Sequence, residues 1–535
     1  MALSWGRGVD HFGAGGAEVT TSDWIGVFAL GLLAASASKV SAVILVPEDH
    51  ATITLAVAAA PSGETIVVSG GPYTEMVTIS AKSLAFISSP EGAVWNGSGT
   101  HCVIADTGAY ATFQGFVFQG ASSIGLEANA AVISMENCVS HLHNHGAAAF
   151  FGGSVIADNC MFNDNGTTGI IATSGGHLIV RNSTMIDNTP GTGSGSHGGS
   201  RLDNSGTTGL YENCLVIGDR VNGDRAYGFL QSSGPSIIAR NNVIMGPTFG
   251  FDVGSSATLV ATGNVFINCA TGVRGNNGST VNLGNLGNIP TDDDGGNVFL
   301  TDNLIFFSNS GATSIIAEGN IYPRIESTYL MGKILGAVDH SPAFQVSLDR
   351  VSVNPAPGDF SVAADGHFVE VRAFSDVTSS QPISLKGWVL SDDPDLAAGD
   401  EGAFTIPAGA VVAPGESLLL ASNLAAVDDH YGTIPGLPAF GYGGVSPEVV
   451  FDPSGDEVLL APLGAGILDA FLYGAGIDTV PSENWTGSRK ALAAQGMIYG
   501  RDDLGTDTDT EADWTDGFVT GRVALTTGVV GLFYH

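Results

Sequence analysis

The residues best suited to act on a charged polymer crowd into one stretch. Asp187, Arg201, Asp203, Asp219, Asp224 and Arg225 lie there together. With Arg181, Arg220 and Arg240, the interval 181–240 holds five of the nine Arg and Lys residues found between 43 and 345. Carboxylates in such a set can serve as general acid and base, or flank a sugar ring from both sides. Their oxygens also suit calcium, a hard cation, and guanidinium groups suit a carboxylate-bearing ligand. The competing reading is a set of salt-bridged surface loops with no function beyond solubility.

Two further clusters carry metal-like spacing. In Ser140-His141-Leu142-His143-Asn144-His145 the histidines alternate, and alternate residues of a strand share a face, so zinc is one reading. The other aligns His145 with Asn165 at a turn and leaves no carboxylate or thiol to complete the set. Near the C-terminus Asp507, Asp509, Glu511 and Asp513 recur at every second residue. That spacing is calcium-like but lacks the central glycine and closing glutamate of an EF-hand; an acidic turn is the alternative. Asp292-Asp293-Asp294 repeats the idea more weakly. Of the two metals, calcium is the one these patterns favour as a cofactor.

A repeat must position these groups. Asn137, Asn159, Asn182, Asn213, Asn242, Asn264, Asn297 and Asn320 each open a short apolar strand. Their spacings are 22, 23, 31, 29, 22, 33 and 23 residues, a base period near 22 with insertions in some turns. Such a period reads as a β-solenoid, whose rungs bury their apolar faces only by stacking. Asparagine tolerates left-handed backbone at a corner, and its amide can bond the rungs above and below. A second ladder, Gly125, Gly169, Gly228, Gly250 and Gly272, is expected to turn another corner. About a dozen rungs at ~4.8 Å would make a rod on the order of 60 Å long.

Residues 43–349 resemble the right-handed parallel β-helix, or pectin-lyase-like, family. The likeness begins at Val46-Pro47, the Ala-rich run Ala51–Ala60, Gly63-Glu-Thr-Ile66, Tyr73-Thr-Glu75 and Val77-Thr-Ile79. The Ala-rich run suits a short helix plugging the end of the rod. This resemblance implies the fold and leaves the chemistry open, since the fold hosts lyases, hydrolases, adhesins and spacers. Its lyases abstract a proton beside a carboxylate with an Arg or Lys base, often with calcium, and its hydrolases set carboxylates across a sugar ring. The 187–225 set could take either part, although no catalytic motif of the family is matched.

From about 350 the ladder stops. The runs His367–Val371, Lys386-Gly387-Trp388-Val-Leu390, Gly455-Asp456-Glu-Val-Leu-Leu460, Leu468–Gly474 and Asp513-Trp514 resemble the lamin-tail domain, an immunoglobulin-like β-sandwich. The expected architecture is all-β: a parallel β-helix over 43–349, a sandwich over 350–522 and a tail over 523–535. Trp388 is expected in the sandwich core. Residues 1–42 read as a leader, with cleavage after Ala42, which places the protein outside the cell and leaves no integral membrane span.

Net charge is 18 − 53 = −35. Such a surface repels nucleic acid and anionic membranes, and repels an acidic glycan unless arginine or calcium screens it. Five cysteines without a CxxC pair form no disulfide framework. Cys138, Cys160 and Cys214 follow the ladder asparagine and should stack inward as small hydrophobes. These features favour a secreted, non-catalytic surface or matrix protein that binds polysaccharide, other copies of itself or surface proteins. The alternatives are a polysaccharide lyase or glycoside hydrolase, and a structural subunit of an extracellular assembly.

Overall fold

The computed structural model describes residues 43–518 apart from 189–196, 219–225, 287–294, 301–302, 326, 354, 356–365, 378–381, 394–401, 432–437, 443–448, 450, 453, 463–466, 476–479, 481–484, 486, 493, 495–496 and 502–509. Its N-terminal part is a stack of three-stranded rungs. One rung has the strands Val132–Glu136, Val139–His141 and His145–Phe150. The next repeats them as Ser154–Asp158, Met161–Asn163 and Thr168–Thr173. Pairing between rungs is parallel and in register: Val132 faces Ser154, Val139 faces Met161 and His145 faces Thr168. Three parallel sheets result, here the first, second and third in the order the chain visits them. The third has 11 strands, on the order of 50 Å of rod.

Alternation along each strand sorts side chains inward and outward. Inward ones form aromatic stacks that run with the rod, such as Phe229 on Phe251 at 4.7 Å and Phe266 on Phe299 at 4.5 Å between ring centres. The first rung is plugged as expected, by the helix Ile53–Ala59 with Ile53, Ala56 and Val57 buried. Glu75 accepts hydrogen bonds from the Ile53 and Thr54 N–H groups at 2.9 and 2.8 Å, and Lys82 Nζ donates to the Val57 and Ala60 carbonyls at 2.8 Å. Both helix ends are thereby satisfied.

The expected asparagine ladder is two adjacent columns. Asn137, Asn159, Asn182 and Asn213 occupy the corner between first and second sheets with φ of 53°, 50°, 49° and 55°, and Asn241 and Gly263 continue it at 55° and 64°. Asn242, Asn264, Asn297 and Asn320 belong to the next, buried column, where earlier rungs carry Cys138, Cys160, Ser183 and Cys214. Register passes from one residue type to the other without a break. The Cys160 N–H donates to Ser183 Oγ at 3.0 Å, that of Cys214 to Asn242 Oδ1 at 2.9 Å, and that of Asn242 to Asn264 Oδ1 at 3.0 Å. The corner column selects asparagine for its left-handed backbone, the buried one for an amide that bonds both neighbours. All five cysteines are free and buried.

The glycine column also differs from expectation. Gly125, Gly169, Gly228, Gly250 and Gly272 sit inside third-sheet strands, where that sheet passes closest to second-sheet side chains. A Cβ at Gly169 would stand 2.7 Å from the Gly199 carbonyl oxygen and 3.1 Å from Phe162 Cβ. Close approach, rather than a turn, demands glycine here.

The strand Ala343–Ser352 leaves the rod and enters the C-terminal part without interruption. Ala343 and Phe344 pair in parallel with Asn320 and Ile321, and from Phe344 to Ser352 the strand pairs antiparallel with Phe368–Ser375. The expected boundary at 349/350 therefore falls within one strand. A separate four-stranded antiparallel sheet orders Ala403–Thr405, Val389–Ser391, Gly455–Ala461 and Asp469–Gly474. Leu348, Val371, Leu390, Leu460 and Phe471 share one apolar core with Trp388, which is buried as expected. That core also takes in Val265, Ile267, Val298, Leu300 and Ile321 from the outer face of the rod. The C-terminal part is thus packed against the side of the solenoid.

Candidate functional site

The outward face of the third sheet changes character along the rod. Toward the N-terminus it carries an apolar cluster, Ile124, Ala148 and Ile171 beside Phe150, next to a single pair of His101 and Glu127 at 2.9 Å. Register then brings Arg201, Leu230, Asp252 and Arg274 into one column, one residue per rung. Tyr227, Phe249 and Thr271 form another column, three residues earlier along each strand.

These columns are fixed by paired, planar contacts. Arg274 Nε and Nη2 donate to the two carboxylate oxygens of Asp252, each at 2.7 Å. The Asn276 amide donates to Asp252 Oδ1 at 2.7 Å. The guanidinium carbon of Arg274 stands 3.7 Å from the Phe249 ring centre, and Phe249 stacks on Tyr227 at 5.6 Å and 19°. The fork-to-fork pair holds Arg274 flat, and the ring beneath supports it by cation–π attraction. Nearer the N-terminus, Arg201 Nε donates to Asp203 Oδ2 at 2.8 Å. The other oxygen, Asp203 Oδ1, is buried with no hydrogen-bond partner among the described residues. Burial raises the Asp203 pKa above the ordinary carboxylate value, against the pull of Arg201.

Only part of the expected set converges. Arg201 and Asp203 meet, because residues two apart on a strand share a face. Asp187 is an exposed left-handed residue (φ 50°) whose N–H donates to the Ile217 carbonyl at 3.4 Å. It occupies the corner that leads into the third sheet, whereas Asp203 ends the strand His197–Asp203. That strand of 7 residues sets them roughly 20 Å apart. Asp219, Asp224 and Arg225, like Arg220, lie outside the described residues. Arg181 and Arg240 belong to the first sheet, where they flank Glu212 at 2.8 and 3.8 Å. Arg181 and Arg240 therefore do not share a face with Arg201: a span of about 20 residues crosses two corners and emerges on a different sheet.

The histidine run does not converge either. His141 points outward to Gln119 Oε1 at 2.9 Å, and His145 Nδ1 lies 2.6 Å from Thr168 Oγ1. His143 faces inward and Nδ1 accepts the Ala121 N–H at 3.0 Å, with its pKa lowered to about 4 by burial. It is His143 rather than His145 that stacks on Asn165, whose Oδ1 accepts the His143 N–H at 3.2 Å. Of the acidic C-terminal run, Asp507 and Asp509 lie outside the described residues. Asp513 is buried and accepts the Thr510 N–H at 3.1 Å in a capping box. Among the described residues no group of three or more His, Cys, Asp and Glu is placed to hold a metal, and no helix is long and apolar enough to cross a membrane.

Asp252, Arg274 and Asn276 were not singled out by the sequence reading, though a signal exists. The separations 249 − 227 = 22 and 274 − 252 = 22 equal the base period, so each pair occupies the same place on successive rungs.

Residues 94–244 match the family model described as "Right handed beta helix region". No curated protein matches the chain. Among solved structures, an alginate lyase from Paenibacillus sp. is similar at 17% identity and a TM-score of 0.33, covering 53% of this chain and 96% of that one. The A-module of a mannuronan C-5 epimerase from Azotobacter vinelandii is similar at 12% identity and a TM-score of 0.26, covering 54% and 89%. A tailspike protein of E. coli bacteriophage HK620, in complex with a pentasaccharide, gives 9% identity and 0.29, covering 69% and 83%. Together the family match and the stacked parallel rungs identify the N-terminal part as a right-handed parallel β-helix.

Proposed function

We propose that this is a secreted, non-catalytic surface or matrix protein that binds glycans on the outward face of the third sheet. The observation that carries the reading is the Arg274–Asp252–Asn276 array held on the Phe249–Tyr227 stack. Planar amide, carboxylate and guanidinium groups suit the hydroxyl edges of sugars, and a rigid sheet presents them without an ordering cost on binding. The C-terminal part is read as a lamin-tail-like, immunoglobulin-like sandwich, a reading its antiparallel strand pairs support.

Catalysis is the weaker reading. Asp203 and Asp252 each engage an arginine. Their Cα positions, two rungs and two residues apart, are separated by about 12 Å from sheet spacing alone. Glycosidases hold their two carboxyl groups within roughly 5–9.5 Å. The test is affinity electrophoresis of the full chain through neutral and acidic polysaccharides, with Arg274→Ala and Asp252→Asn alongside. Retardation that falls at least fivefold in both variants, with no release of unsaturated uronate or reducing ends, is expected. Calcium-dependent product formation abolished by Arg201→Ala would instead establish the lyase.

A further inference from the structure

The outward face of the first sheet carries an apolar stripe that joins no core. Its strands pair in register, so alternate residues of each strand line up as three outward columns. The middle column is Ile156, Ile179, Leu210, Ile238 and Val260, one per rung. Ser134 ends it on one side and Asn282 on the other. None of the five belongs to an apolar cluster of the described residues. All but Ile179 are partly exposed, although each is hemmed in by its neighbours above and below. Water is a poor neighbour for such a run.

Polar columns flank the stripe. One is hydroxyl-rich and includes Ser154, His177 and Ser236; the other is charged, with Glu136, Asp158, Arg181, Glu212 and Arg240 on successive rungs. Within the chain Glu212 already takes Arg181 at 2.8 Å and Arg240 at 3.8 Å. The signs along the rod therefore run minus, minus, plus, minus, plus. Reversed about the point midway between Arg181 and Glu212, this order meets its own complement: Arg181 opposes Glu212, Asp158 opposes Arg240, and Glu136 opposes the neutral Thr262. A register shifted by one rung sets Glu212 against itself and Arg181 against Arg240. Shifted the other way, it sets Arg181 against itself and Asp158 against Glu212. Only one register is attractive throughout, and the others are disfavoured by like charge. The same register lays Ile179 on Leu210 and Ile156 on Ile238.

We propose that a second copy of this chain docks here, first sheet on first sheet, with the rods antiparallel about a two-fold axis along the strands. A two-fold contact must be self-complementary, and under this axis each column faces itself in reverse order. The internal Arg181–Glu212–Arg240 row then widens into a network spanning both copies, the arrangement in which surface ion pairs count. Six rungs of five-residue strands make a patch of roughly 29 by 17 Å. That buries about 1,000 Å² over the two copies, the lower bound for a specific interface. In a chain of net charge −35 two copies repel over most of their surface, so the face where cations meet anions sets the docking register. The third-sheet face stays open on both copies, and the proposal does not rest on the glycan reading.

Sedimentation velocity of the full chain over a hundredfold range of micromolar concentrations should show a monomer–dimer equilibrium. Leu210→Glu should weaken it at least tenfold, and so should Arg181→Glu. Arg181→Glu combined with Glu212→Arg should restore it, because opposite signs again meet across the axis. Register is read by cross-linking. Ser154→Cys and Ser236→Cys chains, once mixed, should be joined by a short bis-maleimide, since these positions face each other. Either chain alone should not be joined, because like positions lie three rungs, about 14 Å, apart along the rod. The five native cysteines are buried, which leaves the introduced thiols as the reactive ones. A monomer at every concentration overturns the proposal, as does a dimer unaffected by Leu210→Glu. So does a double reversal no tighter than Arg181→Glu alone, or cross-linking of a single variant as efficient as that of the mixture. Should Leu210→Glu fail to fold, the charge reversals and the cross-link decide.

Discussion

Replacing one buried asparagine should cost far more than replacing a corner asparagine of nearly identical sequence context. Asn264 Oδ1 accepts from the Asn242 N–H at 3.0 Å and from Asn242 Nδ2 at 2.8 Å. Its Nδ2 donates to Asn297 Oδ1, the Ala239 carbonyl and the Thr262 carbonyl at 2.9, 3.0 and 3.2 Å. Asn264→Ala removes all of these and strands the Asn242 N–H inside the rod. A stranded buried donor costs about 1–3 kcal/mol and each lost bond a net 0.5–1.5, so a loss of about 3 kcal/mol is expected after partial relaxation. Asn213 is exposed and among the described residues its side chain donates one long bond, 3.3 Å to Asn182 Oδ1. Asn213→Gly keeps the left-handed backbone accessible and should cost about 0.5 kcal/mol or less. Urea unfolding followed by far-ultraviolet circular dichroism reads the difference. With a slope of roughly 3 kcal/mol/M, the Asn264→Ala midpoint should fall by about 1 M and that of Asn213→Gly by under 0.2 M. Equal losses would refute the separation of the two columns.

Two other outcomes follow from the C-terminal part. Burial raises the Glu370 carboxyl to about 7, opposed by Arg350, whose Nη1 stands 3.5 Å away. Between about pH 4.5 and 7 the folded chain holds a proton that the unfolded chain has released, so stability should fall as pH rises through this window, by about 3 kcal/mol at most. Glu370→Gln should flatten that slope in denaturation midpoints measured from pH 4 to 8, and an unchanged slope would contradict the assignment. A fragment of residues 350–535 lacks most of the strand Ala343–Ser352, which pairs with both Phe368–Ser375 and Met497–Arg501. It should bind a hydrophobic dye and show broad amide resonances, whereas a fragment beginning at 336 should fold better; equal behaviour would mean the shared strand is dispensable.

What the sequence disclosed depends on whether a feature repeats. The rung period was legible because every corner must solve the same backbone problem, and the end plug because an Ala-rich amphipathic run has few other uses. The asparagine columns were merged because one residue type meets two demands one position apart, and the switch occurs after Asn213. The hydrogen bonds from the Cys160 N–H to Ser183 Oγ and from the Cys214 N–H to Asn242 Oδ1 show that cysteine, serine and asparagine share a column. In the candidate site Arg201 and Asp203 are legible as charges of one crowded stretch and strand alternation puts them on one face, while Asp252 and Arg274 need the alternation and the 22-residue period together. Counting arginines along the chain misled, because Arg181 and Arg240 share a sheet with each other and not with Arg201.

The contact between the rod and the C-terminal part has no repeat behind one of its sides. Pro382–Trp388 meets the rod only through tertiary packing, and no spacing in the chain encodes which rungs it covers. The outer column of the second sheet still gives a physical trace of it. Leu215, Val243, Val265, Val298 and Ile321 are apolar at positions that alternation sends outward, and water would be a poor neighbour for such a run. An apolar outward column on a solenoid is therefore a request for a partner. Here the C-terminal part is that partner over the later rungs, where Val265, Val298 and Ile321 are buried in one core with Ile383 and Trp388.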